Sequence, residues 1–387
     1  MVDRPLFFFS ASLITISILF SYSLSTFATL YYEYNEFHFM IRQCIAGVLG
    51  ILLMWGISKC NPGSFILKFG FLLFFGGIFL MFIMHFLPES LATSAGGAKR
   101  WIRLPFFSLA PVEFFKIGFV VFLAWSFSRR FSLEEQKDLK EEFITFLPYT
   151  LVFLIAVYLI AILQNDLGQI VLLGTTLALM MIFAGSSFKL FLYLLSFTFT
   201  LFIIVIVTSA HRIMRIKAWW AGAQDLILSF FPPSIANSLR IENLPEPYQV
   251  QHSLNAIANG GILGEGLGNG LIKLGFLSEV HTDVILAGIT EEIGFLGLFC
   301  ISLLFLSLIF RILKIANRCE NTIYYLFCSG VAIILGFSFL INVFGISGLI
   351  PIKGIAVPFL SYGGSAILSS SIMIGMVLSI SKKAKIS

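Results

Sequence analysis

About ten apolar runs, each long enough to cross a bilayer, constrain this chain more than any other feature. Runs of roughly 18 apolar residues or more read as membrane spans. They lie near 7–28, 39–58, 65–86, 105–127, 145–163, 168–186, 188–209, 284–310, 323–345 and 356–380. Hydrophobic residues make up 58% of the 387 and charged residues 12%, where a soluble domain carries roughly a quarter charged. The reading is an all-α polytopic membrane protein of about ten transmembrane helices. Residues 1–387 are expected to form a single domain, because length is a poor domain counter when helices share one bilayer bundle. The first run is too long for a cleaved signal peptide, and no small-x-small site follows it before Tyr31.

Charge sets the expected orientation. With a cytoplasmic N-terminus, 14 of the 25 Lys and Arg residues fall in inner segments. The positive-inside rule favours that arrangement and puts both termini in the cytoplasm. The net charge of +5 then reports topology, not a nucleic-acid partner. Cys44, Cys300 and Cys328 fall in spans and Cys60 and Cys319 in inner turns, so no disulfide framework is expected.

The mixed-charge inner segment 128–142 reads as a solvated face. The outer segment from about 210 to 283, between the seventh and eighth spans, is far longer than an ordinary loop. Trp219, Trp220, Phe230, Phe231 and Phe276 make it unlike a disordered linker. It opens HRIMRIKAWW, which predicts a basic aromatic helix at the membrane surface. The run YQVQHSLNAIANGGILGEGLGNG (248–270) lacks nucleotide-loop spacing and a preceding strand. Its glycines point to tight backbone turns.

Two sets of charged residues resist the membrane reading. The first is nine outer cations, with Lys99 and Arg100 in GGAKRWIRL, Arg212 and Arg215 at the start of the long loop, Lys273 further along it, and Lys353 in GLIPIKG. Clustered Lys and Arg suit phosphate, so a pyrophosphate or an anionic head group is a natural ligand; plain contact with lipid phosphates is the alternative. The second set lies in LSEVHTDVILAGITEEIG (277–294), where Glu279, His281 and Asp283 precede an apolar run and Glu291 and Glu292 follow it. Asp283 suits either a helix N-cap or a water-edge base. On a straight helix Glu291 lies about 12 Å deeper and about 80° round, which predicts structural or pathway-lining glutamates rather than a carboxylate pair. Asp166 in QNDLG reads as a turn residue. SYGGS (361–365) reads as a small-residue patch for close helix approach. The five histidines have no metal spacing, so no structural zinc is expected.

In chain order, GAKRWI, QNDLG, YQVQHSL, LSEVHTD, TEE, PIKG and PFLSYGGS resemble the motifs of the SEDS family (shape, elongation, division and sporulation) of bacterial membrane proteins, over nearly the whole chain. The lysine of PIKG and the GLGNGLIKL loop are similar to the division branch rather than the elongation branch. The resemblance implies polymerisation of lipid II into peptidoglycan β-1,4 glycan strands with release of undecaprenyl pyrophosphate. It implies work at the division septum of the cytoplasmic membrane, on its outer face, beside a class B penicillin-binding protein and other divisome membrane proteins. It assigns the essential acid to Asp283 and the substrate-binding cations to Lys99, Arg100 and Lys353, with Arg212 and Arg215 after them. Glu279, His281, Asp166, Glu291 and Glu292 become supporting residues. A divalent cation, Mg²⁺ or Mn²⁺, is compatible with a pyrophosphate substrate, though no ligand set is readable. Ser278, Asn165, Gln169 and Thr290 depart from the family pattern, and two of those changes remove prolines that would fix φ. The competing expectations are a lipid II flippase using Glu291 and Glu292, an elongation-type polymerase, and a scaffold without chemistry.

Overall fold

A computed structural model describes residues 2–95, 98–104, 108–130, 139–208, 210–241, 248–277, 279–351 and 354–384. Among these, nine helices are long and apolar enough to cross a membrane. They are α1 (Arg4–Ser23), α3 (His38–Lys59), α4 (Pro62–Ile83), α5 (Pro111–Arg130), α6 (Leu139–Val157) with its continuation to Leu163, α8 (Phe188–Val207), α12 (Ile285–Ala316), α13 (Thr322–Ile346) and α14 (Gly364–Ser381). The remaining expected span is α7 (Leu167–Phe183), a shorter apolar helix. Three helices stand apart from the spans: the short α2 (Thr26–Tyr31) and α10 (Pro233–Leu239), and the longer α9 (Ala210–Leu228), within the long loop. A fourth, α11 (Tyr248–Gly260), leads back toward α12.

The helix starts follow from local chemistry. Asp3 accepts from Leu6 N, Asn61 from Gly63 N, and Ser187 from Leu190 N. Pro5 and Pro62 sit in the first turns of α1 and α4, where a missing N–H costs nothing. The chain ends meet at one end of the bundle. Asp3 N donates to Ser381 Oγ at 3.1 Å, Arg311 Nε lies 2.8 Å from Asp3, and Lys382 Nζ donates to Lys59 O. At the opposite end lie the 279–283 turn, the α6–α7 junction and the 354–362 segment.

Burial orders the helices. Within their apolar windows α14, α13 and α5 are 89%, 78% and 72% buried, and α8 only 17%. The first three therefore form the centre and α8 presents its apolar surface outward, as lipid permits. Glycine sets the closest approach. A Cβ on Gly118 of α5 would lie 2.2 Å from the backbone N of Phe74 on α4. Small residues at such crossings let helices pack through van der Waals contact where no hydrophobic drive exists.

Two features depart from the sequence reading. A three-stranded antiparallel sheet, β1 (Ala92–Ala95), β2 (Ala98–Arg103) and β3 (Ser108–Leu109), joins α4 to α5. Second, α12 is broken at Gly294, whose φ of 69° and ψ of 179° are not helical. Residues 295–316 are about 33 Å long at 1.5 Å per residue, which spans a hydrocarbon core alone. Residues 285–293 are therefore a separate short helix ahead of the span, and the straight-helix projection of Glu291 from Asp283 does not hold.

Gly118→Ala should lower the thermal midpoint in detergent by several degrees, because the clashing partner is backbone. Gly336, with open space around its Cβ position, gives the control. Gly336→Ala should be neutral or stabilising by roughly 0.5–1 kcal/mol, as read by differential scanning fluorimetry.

Candidate active site

The break in α12 is filled by the glycine-rich loop. Phe295 N donates to Gly261 O at 2.9 Å and Leu296 N to Ile262 O at 3.1 Å; in return Glu265 N donates to Glu291 O at 3.0 Å and Gly266 N to Glu292 O at 2.9 Å. The contact is backbone on backbone. A Cβ on Gly264 (φ 85°) would sit 2.3 Å from Glu292 O. The predicted tight turns are present, and their role is to satisfy a broken helix.

The two glutamates secure the same loop. Glu291 Oε1 accepts from Ile272 N at 2.7 Å and from Asn259 Nδ2 at 3.1 Å. Glu292 pairs with Lys273 Nζ at 2.6 Å, with both side chains buried, and Ser23 of α1 hydrogen-bonds to both. The glutamates are structural ties, and Lys273 is a buried counter-charge rather than an outer cation facing substrate.

This loop delivers the turn that carries Asp283. Thr282 N and Asp283 N both donate to Glu279 O, so Asp283 precedes the helix instead of starting it. The N-cap position of α12 is Val284, which makes no side-chain cap; the N-cap role for Asp283 is therefore not realised. Its main chain is held from the other side. Asn342 Nδ2 donates to Asp283 O, Ser361 Oγ to Thr282 O at 2.7 Å, and Tyr362 N to His281 O at 2.8 Å. Gln43 binds the SYGGS segment through Ser361 O and Gly363 N. SYGGS is thus a clamp on the acid-bearing turn, beyond the packing role read from its small residues.

Electrostatics set the acid's character. Burial, then repulsion from Glu279 and Asp166, pushes the Asp283 carboxyl up to about 7, against the opposing pull of Arg100 and Arg215. Asp166, the N-cap of α7, accepts from Gln169 N at 3.4 Å and lies 4.0 Å from Arg100 Nη1. Burial raises its pKa and Arg100 moderates the rise. Burial lowers that of His281, partly offset by Glu279, so His281 is neutral at pH 7.

The cations divide. Arg215 is exposed on α9 and close enough to act on Asp283. Arg100 donates to Gln164 O and Asn165 O, at 2.9 and 2.8 Å. Arg212 departs from the expected phosphate role. It is buried and donates to Ala161 O, Val205 O and Asn165 Oδ1, tying α9 to the π-helical end of α6 (Tyr158–Leu163). Lys99 likewise spends its ammonium on His85 O and Leu87 O. Lys353 and Ser278 lie outside the described residues. Asn165 takes φ 54° and Glu279 φ 57°, and proline could not adopt the first; the departure at Asn165 therefore carries its own loop geometry.

Sequence reasoning missed Glu113. It is buried in α5, 2.8 Å from Lys116, and accepts from Gln169 Nε2 and Ser369 Oγ, both at 3.3 Å. The signal was present as an acid and a base three residues apart in an apolar run. Among the described residues no three His, Cys, Asp or Glu side chains converge to hold a metal ion.

A family model described as "Cell cycle protein", FtsW/RodA/SpoVE, matches residues 4–386. A relative from Helicobacter pylori strain J99, carrying the name "Probable peptidoglycan glycosyltransferase FtsW", is 54% identical over 384 residues, covering 99% of each chain. One from Geobacter sp. strain M18 with the same name is 32% identical, over 91% of this chain and 89% of its own. Among solved structures, a chain from a peptidoglycan synthase complex that coordinates polymerization and crosslinking superposes with a TM-score of 0.72 at 20% identity, covering 99% of this chain and 98% of that one. The Thermus thermophilus rod shape determining protein RodA gives 0.67 at 20% identity, covering 100% and 99%.

Breaking the buried pair from one side should be severe: Lys273→Met should destabilise by roughly 3–5 kcal/mol, whereas Lys273→Met with Glu292→Leu should recover much of it. Thermal unfolding of the two variants beside Glu292→Leu closes the cycle.

Proposed function

The chain belongs to the SEDS (FtsW/RodA/SpoVE) family of integral membrane proteins, and on that premise we propose that it is a peptidoglycan glycosyltransferase whose general base is Asp283. The observation that carries the assignment of the base is the carboxyl of Asp283, half-buried at the loop-bearing end of the bundle, with a pKa near 7 and two arginines in its field. A general base works best when its pKa lies near the operating pH.

The substrate is lipid II, and the step is glycosidic bond formation. Asp283 takes the proton of the acceptor sugar's 4-hydroxyl as that oxygen attacks C1 of the donor sugar. The C1–O bond to phosphate breaks, undecaprenyl pyrophosphate leaves with the electron pair, and in-line attack inverts the anomeric centre to give a β-1,4 link. Prepositioned cations stabilise the developing charge most effectively. We assign that work to Arg215, which is exposed, and to Arg100, which keeps its carbonyl contacts while its charge still reaches Asp283, with Lys353 as a third candidate. Lys99 and Arg212 support it by fixing the loops. Among the described residues no three His, Cys, Asp or Glu side chains converge near Asp283, and no step here is routed through a divalent cation.

The site faces the periplasm, both termini are cytoplasmic, and the protein acts at the septum in division. The name carried by the 54% and 32% identical relatives supports the division role. The fold shared with a chain of a synthase complex supports a class B penicillin-binding partner. Against the flippase alternative, Oε1 of Glu291 and Oε1 of Glu292 are both taken up by contacts with the glycine-rich loop.

The test is strand synthesis from labelled lipid II by the protein with its transpeptidase partner. Asp283→Asn should reduce the rate by about 10²–10⁴-fold, the usual contribution of a general base; wild-type rates from that variant would remove Asp283 from the chemistry. Mg²⁺ and chelator arms in the same assay read metal dependence. The wild-type rate should climb with pH through about 7, as the base loses its proton. Stability runs the other way. The folded pKa of Asp283 lies above its ordinary 3.8, so its ionisation costs stability progressively from pH 3.8 to about 7. Asp283→Asn should therefore be more heat-stable than wild type at pH 8, with the gain vanishing below about pH 4.

A further inference from the structure

Gln43 lies fully buried in the second turn of α3, and no step above uses it. Its amide is nonetheless engaged at both ends. Nε2 donates to Ser17 Oγ of α1 at 2.6 Å and to Ser361 O at 3.1 Å, and Oε1 accepts from Gly363 N at 3.2 Å. A backbone N–H can only donate, so the atom that faces Gly363 N is the amide oxygen and both amide protons point to the other partners. Ser17 passes the contact on, donating to Leu360 O at 2.7 Å. Gln43 and Ser17 together thus bind three main-chain groups of the 360–363 segment.

The Ser361 contact reaches further than the others. Ser361 C=O and Tyr362 N–H belong to one peptide group, which is planar and rigid, with its C=O and N–H directed oppositely. Gln43 holds the oxygen end. The nitrogen end donates to His281 O at 2.8 Å, two residues before Asp283. A tilt at one end moves the other. The Ser361 side chain runs in parallel, accepting from Val357 N at 2.8 Å and donating to Thr282 O at 2.7 Å. Local preference does not hold this segment in shape, because Phe359 takes a left-handed φ of 65°, which a side-chain-bearing residue adopts only under outside constraint. An apolar side chain would fill the place of Gln43 without the cost of burying an amide. It could not orient a peptide plane.

We propose that Gln43 is a positioning residue for the reaction: it sets the 361–362 peptide plane, and that plane sets where the main chain presents the Asp283 carboxyl. The reaction itself rests on the polymerase reading; the coupling of Gln43 to Asp283 does not.

The test is a kinetic double-mutant cycle on the full chain with its transpeptidase partner. Gln43→Met keeps the length of the side chain and removes its three bonds. It should lower the strand-synthesis rate at saturating lipid II by roughly 10–100-fold, the scale of effect expected from an ångström of misplacement, with KM little changed. In an Asp283→Asn background the same substitution should cost nothing further, because a residue that acts only through the base has nothing left to act on. Ser17→Ala leaves Gln43 its two bonds to the segment, and should give a smaller loss that also disappears in that background.

A second readout needs no turnover. The difference in heat stability between the Asp283 and Asp283→Asn proteins should grow up to about pH 7 in the wild-type background. With Gln43→Met it should level off at lower pH, since a displaced carboxyl meets more water and ionises more readily. Equal fold-losses from Gln43→Met with and without Asp283 overturn the proposal. So does a raised KM at unchanged maximal rate, or lost heat stability with the rate per folded enzyme and the pH dependence both unchanged. If Gln43→Met does not fold, the Ser17→Ala cycle decides. If the wild type makes no strands, the polymerase reading falls, and the pH dependence of stability alone judges the coupling.

Discussion

Four backbone hydrogen bonds between residues 261–266 and the broken turn at Gly294 hold the loop-bearing half of this protein in place. Interrupting a helix frees N–H and C=O groups, and at membrane depth these are tolerated only where protein takes them up. The loop takes them up with its own backbone, which requires glycine where the two chains touch. Once it is seated, Lys273 can reach Glu292, and Asn259 and Ile272 can reach Glu291. The short helix 285–293 is thereby fixed at its C-terminal end, and the turn that bears Asp283 is fixed with it.

The other side of that turn is bound by elements far away in sequence. Asn342 of α13, Ser361 and Tyr362 each contact a carbonyl between His281 and Asp283. Left-handed backbone at Asn165, Glu279 and Phe359 shows the geometry that the surrounding bonds enforce. Strain of this sort persists only where the neighbourhood over-determines it. The carboxylate is consequently placed by main-chain contacts, and among the described residues no hydrogen bond holds its oxygens, which is the arrangement a base needs.

What was legible in the sequence follows from the physics each signal carries. Length and apolarity mark spans, because hydrocarbon accepts little else, and a helix stands at every expected position. The charged motifs around Asp283 could be read as a locus, since ionisable groups beside lipid require partners. Periodicity could not show the break at Gly294, because residues 285–293 and 295–316 are both helical and apolar; only the third dimension reveals a loop between them. For the same reason Lys273 read as an outer cation and Glu291 as a deep acid. Arg212 and Arg215 sit three residues apart on one helix, yet one turns to carbonyls and the other to solvent, a difference fixed by the π-helical end of α6. Glu113 with Lys116 was legible and was passed over.

The charge balance at the site links acid strength to turnover. Burial first, then two neighbouring carboxylates, raise the pKa of Asp283 and two arginines lower it, so it depends on what else those arginines face. On the proposed reading, pyrophosphate arriving at Arg215 and Arg100 would screen the arginines from Asp283 and add negative charge nearby. Both effects raise the carboxyl's proton affinity, which holds the abstracted proton on Asp283 while the pyrophosphate is bound. Departure of undecaprenyl pyrophosphate restores the arginines' pull and lowers that affinity, which favours release of the proton to water. The same cations thus serve the leaving group during bond formation and reset the base afterwards, without any conformational change being required.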